Sequence, residues 1–252
     1  MNKSQITRSF TRAVSSYDDH ARIQRIAVDM IYDHLRQSTN DGVMNVLEIG
    51  CGTGLLTTRL FPLFQNASWL VSDLSPEMLD KCQAKFDCNN ISFEVLDGEA
   101  IENIGQQDLI ISSLAFQWFD DLASSLKNIV GFLKPGGRLF FTTLGNQSFM
   151  EWKKFLKDQG LNDGMHDYPS FADVKNIILT DASLHGESII VKDNYDTIFD
   201  FLKSLKYIGA HSPRSNYQPI PFKTFKKALS DFDKLYKCSI SYEIMFFEII
   251  KK

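Results

Sequence analysis

Short apolar runs alternate with helical repeats along the first 145 residues of the chain. Apolar positions within residues 4–37 recur at spacings near 3.6, which predicts one long N-terminal helix. Apolar runs predict strands at 45–50, 69–72, 91–95, 109–112 and 138–143, with helical patterns between some of them at 55–64 and 121–132. Because strands and helices alternate, the sequence predicts a parallel sheet with right-handed crossovers.

The sequence Ser75-Pro76-Glu77 marks the start of a further helix. Serine is a favoured N-cap residue, proline suits the first helical position, and an acidic residue in the first turn complements the helix dipole. The turn at 134–137, which contains Pro135, Gly136 and Gly137, ends the helix before the fifth strand.

Beyond residue 150 the alternation is less regular. Helical patterns cover 149–159, 196–209 and 222–236, strand-like runs cover 188–192 and 240–249, and 160–187 and 211–221 are irregular. The chain has no repeat, low-complexity tract or linker, so we expect one domain spanning residues 1–252.

Composition and charge narrow the class of protein. With 44% hydrophobic and 23% charged residues the chain is typical of folded proteins, and a net charge of -4 excludes a generally basic nucleic-acid binder. The charge is unevenly distributed, at +2 over residues 1–40, -12 over 41–200 and +6 over 201–252. Such asymmetry marks either a surface for a partner or an ordinary solvated surface.

Targeting and metal-binding signals are absent from the sequence. The N-terminus lacks the apolar stretch of a signal peptide, and no apolar run reaches the roughly 20 residues that span a bilayer. The four cysteines form no CxxC pair and no metal-ligand spacing, so free thiols and no metal are expected. We therefore predict a cytoplasmic protein that binds neither membrane nor nucleic acid.

The motif Glu48-Ile49-Gly50-Cys51-Gly52-Thr53-Gly54 lies between a predicted strand and a predicted helix. Glycines let the backbone turn sharply and approach a ligand closely, and the following helix N-terminus favours anionic groups. Asp73 follows Gly54 by 19 residues, at the end of the second strand, where a carboxylate can accept both hydroxyls of a ribose. A tight turn alone would explain the glycines, but the combination favours a nucleotide site and leaves the nucleotide open.

The pattern E-x-G-x-G-x-G resembles motif I of class I S-adenosylmethionine-dependent methyltransferases more closely than the dinucleotide pattern G-x-G-x-x-G. The resemblance extends to Asp73, to residues 96–100 and to residues 133–137. It implies a Rossmann-like α/β fold with a seven-stranded, mostly parallel sheet whose last strand is antiparallel. It also implies S-adenosyl-L-methionine as cofactor, released as S-adenosyl-L-homocysteine, bound by a core at 45–145. The implied cofactor-binding residues are Glu48, Gly50, Gly52 and Gly54 at the methionyl part, Asp73 and Leu74 at the ribose and adenine, Asp97 at the adenine amine, and in addition Gly98 and Ser113.

Three further segments, at 10–21, 112–118 and 204–210, together with Thr142-Thr143-Leu144, resemble the malonyl-[acyl-carrier protein] O-methyltransferases of biotin synthesis. This resemblance implies methyl transfer onto the free carboxylate of a malonyl thioester of acyl carrier protein or coenzyme A. The ester masks the charge, so that fatty-acid elongation enzymes can build a pimeloyl chain. Residues 1–40 and about 155–230 are then expected to cover the substrate as an N-terminal helix and a helical lid.

A malonyl carboxylate is ionised at neutral pH, so its methylation needs orientation in a dry pocket rather than a general base. Neutral donors near the methyl group and cations farther away would preserve its nucleophilicity. Tyr17, Gln117 and Trp118 are the candidate catalytic residues, although Tyr17 and Trp118 would also suit a core. The candidate substrate-binding residues, each of which would also suit a solvent-exposed surface, are Arg12, Lys206, His211 and Arg214.

The basic C-terminal part gives a candidate docking surface for a protein partner. Between residues 201 and 230 the chain has six basic residues and no acidic one. Acyl carrier proteins are acidic, so this segment is expected to attract one transiently. Two other functions stay open, which are methylation of another small carboxylic acid, a quinone precursor or an amine, and a non-catalytic scaffold that binds the cofactor.

Overall fold

The structure, a computed structural model, describes residues 3–37, 42–214 and 217–252. Within these ranges the strands are β1 (Asn45–Ile49), β2 (Ser68–Asp73), β3 (Ile91–Val95), β4 (Gln107–Ser113), β5 (Leu133–Leu144), β6 (Ala182–Asn194) and β7 (Ser239–Lys251). They form one sheet in the order β3-β2-β1-β4-β5-β7-β6. Pairing is parallel from β3 to β5, and β7 is antiparallel to both β5 and β6. The predicted seven-stranded sheet with an antiparallel last strand is confirmed.

Helices cover both faces of the sheet. In the described residues they are α1 (Lys3–Ala13), α2 (Tyr17–His20), α3 (Arg22–Gln37), α4 (Leu55–Leu60), α5 (Pro76–Gln83), α6 (Leu122–Gly131), α7 (Met150–Asp158), α8 (Phe171–Lys175), α9 (Ile198–Tyr207) and α10 (Phe222–Leu235). Val46 and Leu47, adjacent in β1, are both fully buried but belong to different hydrophobic clusters. Side chains alternate across a strand, so β1 is apolar on both faces, as parallel strands usually are.

Helix α5 begins as the sequence predicts. Ser75 is its N-cap and accepts the backbone N–H of Met78 at 3.4 Å, Pro76 is the first helical residue and Glu77 lies in the first turn. The start of α5 matters for the site because it directly follows the carboxyl end of β2, where Asp73 lies.

Residues 4–37 are mostly helical, as predicted, but the helix is not continuous: the chain forms α1, α2 and α3 there, separated by a turn at 14–16 and by Ala21. The hydroxyl of Ser16 donates to the carbonyl of Ala13 at 3.2 Å and to that of Tyr207 at 2.8 Å. Serine side chains compete for backbone groups in this way, and the contact with Tyr207 is long-range. The periodicity therefore persists through a break that tertiary contacts impose.

The stretch 160–187, expected to be irregular, includes α8 and the first half of β6. A capping box starts α8, in which Ser170 and Asp173 satisfy each other's backbone N–H groups. Strand β6 lies at the edge of the sheet, so its polar residues remain in contact with water. Gly186 stands opposite Phe247, and a Cβ there would lie 2.4 Å from the Phe247 ring.

A third hydrophobic cluster joins α7, α9 and α10 to the first half of β7. Its largest buried side chains are Trp152, Phe201 and Phe232, which come from three different helices. This cluster places α9 next to α1 and α2, above the carboxyl ends of β4 and β5. The segment expected to cover the substrate, about 155–230, therefore contains helices α8, α9 and α10 together with the edge strand β6.

Candidate active site

The turn between β1 and α4 can form only with glycine at two positions. Gly50 and Gly54 have φ values of +73° and +89°, in the left-handed region that side chains disfavour. A Cβ on Gly50 would stand 2.5 Å from the Cβ of Ala115, and one on Gly54 would stand 2.6 Å from the Sγ of Cys82. Both glycines therefore let the turn pack against its neighbours.

Asp73 fixes the middle of the same turn. Its Oδ2 accepts the backbone N–H of Gly52 and its Oδ1 accepts that of Ser75, both at 2.8 Å. Burial raises the pKa of Asp73, while the hydrogen bonds from Ser75 and Gly52 oppose that rise. A Cβ on Gly52 would meet only the hydroxyl of Tyr17, at 3.9 Å, so the turn is open on this side. The carboxylate retains lone pairs that can accept ligand hydroxyls there.

Glu48 brings a second carboxyl group to the base of the turn. Its side chain is 1% exposed, and neither oxygen has a hydrogen-bond partner among the described residues. Burial raises the pKa of Glu48 well above its ordinary value and Cys82 raises it further, while the hydroxyl and the backbone N–H of Thr57 oppose the rise. A buried carboxyl group with so few partners is costly, so a ligand with a cationic or hydrogen-bonding group fits this position.

A lysine from the N-terminal helix lies at the opposite end of the site. Lys3 Nζ is 2.6 Å from Asp97 Oδ2 and 2.8 Å from Glu99 Oε2. Burial lowers the pKa of Lys3, but the two carboxylates outweigh it and raise the pKa overall. Helix α1 is thereby tied to the loop after β3, where Asp97 Oδ1 accepts the backbone N–H of Glu99 at 3.1 Å.

These groups line the larger of two neighbouring clefts, which encloses about 1010 Å³ when the solvent space at its mouth is included and is called the larger cavity below. Ten of the predicted site residues line it, namely Tyr17, Glu48, Gly50, Gly52, Asp73, Leu74, Asp97, Gly98, Ser113 and Trp118. Gly54 is not among the lining residues, and its part in the site is to let the turn pack. The carboxyl groups of Asp73 and Glu48, the open turn and the cavity fit an adenosine that carries an amino acid, which is the shape of S-adenosylmethionine.

A smaller cavity, of about 460 Å³ with the solvent space at its mouth included, adjoins the larger one, and both are lined by Phe10, Tyr17, Gln24, Leu114 and Trp118. None of its described lining residues is charged. Its hydrogen-bonding side chains are Tyr17, Gln24, Gln117, Trp118, Tyr168 and Tyr242, and the others are apolar. The smaller cavity therefore offers neutral donors in an aromatic surrounding.

Gln117 is held by the strained end of β4. Leu114 has a φ of +48°, which is unfavourable for a leucine, and its carbonyl accepts the Gln117 side-chain N–H at 2.6 Å. Thr143 donates to Gln117 Oε1 at 3.4 Å. Strain of this kind persists where surrounding contacts hold it, and here it fixes the orientation of the amide.

The tyrosines of the smaller cavity stay protonated at neutral pH. Burial raises the pKa of Tyr17, and the nearby carboxylates of Asp73 and Asp18 raise it further. Burial likewise raises the pKa of Tyr168 and of Tyr242. These hydroxyl groups can donate hydrogen bonds but are poor general bases.

Helices α1 and α2 are fastened over the larger cavity by side-chain contacts. Thr11 donates to Glu77 Oε2 at 2.7 Å, and Thr53 donates to Asp18 Oδ1 at 2.5 Å. Asp18 also lies 3.4 Å from Lys85 Nζ. Tyr17, the neighbour of Asp18, is consequently held at the junction of the two cavities.

The four predicted substrate-binding cations line neither cavity. Arg12, Lys206 and His211 are exposed, with Arg12 on α1 and the other two on or after α9. Arg214 donates to Asn162 Oδ1 at 2.6 Å and lies 3.4 Å from Asp167. Their role in substrate binding stays a prediction.

Sequence reasoning missed Lys3, Gln24, Tyr168 and Tyr242. The sequence held a signal for Gln24, because it is a polar residue among apolar ones on the buried face of α3. In the structure its Oε1 is buried without a partner among the described residues. Tyr168 lies in the irregular stretch, where no pattern marks it, and Tyr242 reads as part of a buried strand. Their proximity arises from the tertiary fold.

The described residues also contain no group of three or more histidine, cysteine, aspartate or glutamate side chains placed to hold a metal. In the part of the chain that the structure describes, every helix is too short or too polar to span a bilayer.

Comparison with known proteins points to methyl transfer. A family model described as a methyltransferase domain matches residues 46–137. The malonyl-[acyl-carrier protein] O-methyltransferase 2 of Ilyobacter polytropus is 32% identical over 97% of this chain and 95% of its own length. The biotin biosynthesis bifunctional protein BioCD of Bordetella avium is 34% identical over 96% of this chain, which spans 51% of that protein.

The fold is also shared with a solved structure. The magnesium protoporphyrin IX methyltransferase of Synechocystis, crystallised with S-adenosylhomocysteine, superposes with a TM-score of 0.57 at 17% identity, covering 93% of this chain and 86% of its own. At that level of identity the likeness shows the class I methyltransferase fold.

Proposed function

The chain belongs to the malonyl-[acyl-carrier protein] O-methyltransferase family, and from that membership we propose that it methylates the free carboxylate of a malonyl thioester. The methyl donor is S-adenosyl-L-methionine, and the methyl ester serves an early step of biotin synthesis. The observation that carries the proposal is the junction of a motif-lined cavity with a smaller, uncharged one.

The residues of the larger cavity suit the donor. Bound there, it would supply an electrophilic methyl group on a sulfonium, whose sulfur would keep the electron pair of the broken bond when the methyl group passes to the carboxylate oxygen. Asp73 would accept the ribose hydroxyls, Glu48 would pair with the amino-acid end, and the Asp97 carboxylate would accept the adenine amine. Gly52 lets the backbone approach closely.

The residues of the smaller cavity orient an acceptor that is already ionised. Tyr17 and Gln117 donate hydrogen bonds to the carboxylate without fully neutralising it, so it remains nucleophilic. Trp118 packs edge-on against Phe10, with ring centroids 5.6 Å apart, and excludes water from the junction. Catalysis then consists mainly of holding the reacting atoms in line.

Incubating the purified protein with S-adenosyl-L-methionine and a malonyl thioester is expected to give a product in which one methyl replaces one hydrogen. Mass spectrometry and lability to base identify a methyl ester. A base-stable product on an amine, or turnover only with other acids or quinone precursors, would assign another acceptor. Cofactor binding in calorimetry without turnover on any acceptor would indicate a scaffold.

Replacing Gln117 with leucine is expected to lower kcat by about ten- to a hundredfold, because a fixed donor beside the reacting carboxylate is lost. The Michaelis constant for S-adenosyl-L-methionine should change little, since Gln117 lines only the smaller cavity. Gln106→Leu, at an exposed position, is the matched control. Equal activity of the two variants would remove Gln117 from the reaction.

The lysines of α10 are the proposed docking site for an acidic carrier protein. Lys223, Lys226 and Lys227 are exposed, and none is in an ion pair among the described residues. Reversing all three to glutamate should raise the Michaelis constant for a malonyl-carrier substrate more than that for malonyl-coenzyme A. The control reverses the exposed lysines 127, 175 and 252, and equal effects on both substrates would refute docking on α10.

The four cysteines agree with a cytoplasmic protein. All four are free thiols, three buried and one, Cys88, exposed. Unpaired thiols suit a reducing compartment.

A further inference from the structure

Two serine contacts fasten helix α1 and the turn after it to the end of α9 and the loop that follows α9. Ser9 Oγ lies 2.9 Å from Ser212 Oγ, and Ser16 Oγ donates to the carbonyl of Tyr207 at 2.8 Å. Arg12 is three positions after Ser9, so the two side chains share one side of α1. Arg12 is therefore held close to the segment 206–212.

A glycine makes this approach especially close. Gly209 has a φ of +75°, and a Cβ there would lie 2.8 Å from the Cα of Phe10. The backbone that leads from Lys206 to His211 thus packs directly on α1.

Arg12, Lys206 and His211 consequently form an exposed cluster in which Arg12 and Lys206 carry the positive charge. Burial lowers the pKa of His211, and the charges of Lys206 and Arg12 lower it further, so His211 contributes a neutral ring N–H to the cluster. Among the described residues neither Arg12 nor Lys206 has an ion-pair partner. Each lies in the last turn of its helix, where the dipole favours a cation, but this does not explain why they converge.

The cluster lies on the outer side of the wall of the smaller cavity. Phe10, Leu205 and Ala210 line that cavity, and their near neighbours in sequence carry the exposed charges. The wall has about the thickness of one helix, roughly 10 Å. An elongated substrate can place its reacting end inside the cavity and a charged end outside, on the cluster.

We propose that Arg12, Lys206 and His211 bind the phosphoryl group of the substrate's phosphopantetheine arm. The inference rests on the proposed function, because carrier-protein and coenzyme A thioesters share this arm. A guanidinium pairs with two oxygens of a phosphoryl group, and an ammonium adds a point charge. The malonyl carboxylate is not the ligand of the cluster, since it must reach the junction of the two cavities.

The fourth predicted cation, Arg214, does not belong to this cluster. Its guanidinium is occupied by Asn162 and Asp167, and its backbone N–H donates to Gly164 at 2.9 Å. It holds the loop at 162–167.

The test compares malonyl-phosphopantetheine with malonyl-pantetheine, which differ only in the phosphoryl group. For the wild-type protein the Michaelis constant should be about tenfold lower with the phosphoryl group, and in a double variant R12Q/K206Q the ratio should fall to about one. Arg12→Lys should retain part of the difference. The control double variant R36Q/K157Q alters exposed charges elsewhere and should keep the wild-type ratio.

Further measurements compare the two natural carriers of the phosphoryl group, acyl carrier protein and coenzyme A. They also distinguish failure of the phosphoryl site from failure of the proposed function. An equal rise in the Michaelis constants for malonyl-carrier protein and malonyl-coenzyme A in R12Q/K206Q supports the shared phosphoryl group, whereas a rise with only one of them overturns it. If the wild-type protein forms ester with equal Michaelis constants for malonyl-phosphopantetheine and malonyl-pantetheine, the phosphoryl site is refuted and the proposed function stands. Absence of ester on any arm refutes the proposed function, and calorimetry with phosphopantetheine against pantetheine then still decides the site, since equal affinity overturns it.

Discussion

Replacing Asp73 with asparagine is expected to weaken the binding of S-adenosyl-L-methionine by about a hundredfold. The carboxylate accepts the backbone N–H groups of Gly52 and Ser75 through different oxygens, so an amide necessarily turns its NH2 toward one of these donors. Hydrogen bonds to a charged acceptor contribute about 1.5–3 kcal/mol, and the ribose loses a charged acceptor as well. Titration calorimetry with wild type and variant measures the loss.

The matched control is Asp121→Asn. Asp121 also accepts a backbone N–H, that of Ser124 at 3.0 Å, as the N-cap of α6, but it does not line the larger cavity. Both substitutions should lower the free energy of unfolding, whereas only Asp73→Asn should lower the affinity. Equal affinities of the two variants would contradict the role of Asp73.

Replacing Gly54 with alanine is expected to lower the free energy of unfolding by roughly 2–5 kcal/mol. About 1–2 kcal/mol comes from a side chain at a left-handed φ, and about 1–3 kcal/mol from overpacking. The added Cβ would lie 2.6 Å from Cys82 Sγ and 3.3 Å from Cys82 Cβ, in a cluster of fully buried side chains. Denaturant unfolding measures the change.

Gly105→Ala separates strain from packing. Gly105 has a φ of +70°, but a Cβ there would have nothing within 4 Å. Its substitution should therefore cost only about 1–2 kcal/mol, the backbone term alone. If the two alanine variants lost the same stability, the contact between Gly54 and Cys82 would not be what requires glycine.

Elements that are determined by residues close together in the sequence could be predicted, whereas elements that depend on distant contacts could not. The runs that became β1, β2, β4 and β5 are apolar because these strands are largely buried in the sheet, and the start of α5 is encoded in three consecutive residues. The first half of β6 lacks such a pattern because an edge strand exposes polar residues. The break before α2 depends on Tyr207, which lies 191 positions from Ser16.

The same distinction applies to the candidate site. The carboxyl groups and glycines of the larger cavity come from the turn after β1 and from the ends of β2 and β3, so their spacing in the sequence reveals them, whereas Lys3 and Gln24 reach the cavity from helices α1 and α3. The smaller cavity is assembled from α1, α2, α3, α9, β5, β7 and connecting segments, and no short motif records that assembly. Gln24 could have been found as a polar residue on an apolar face, whereas Tyr168 required the fold.

The uncharged lining of the smaller cavity has a consequence for how the reaction responds to its medium. In the proposed reaction a sulfonium and a carboxylate annihilate their opposite charges and leave a neutral thioether and a neutral ester. A surrounding of low polarity stabilises separated ions less than the charge-diminished transition state, so the aromatic walls favour the forward step. The methyl transfer releases no proton, and the thioether and the ester that it produces are both neutral.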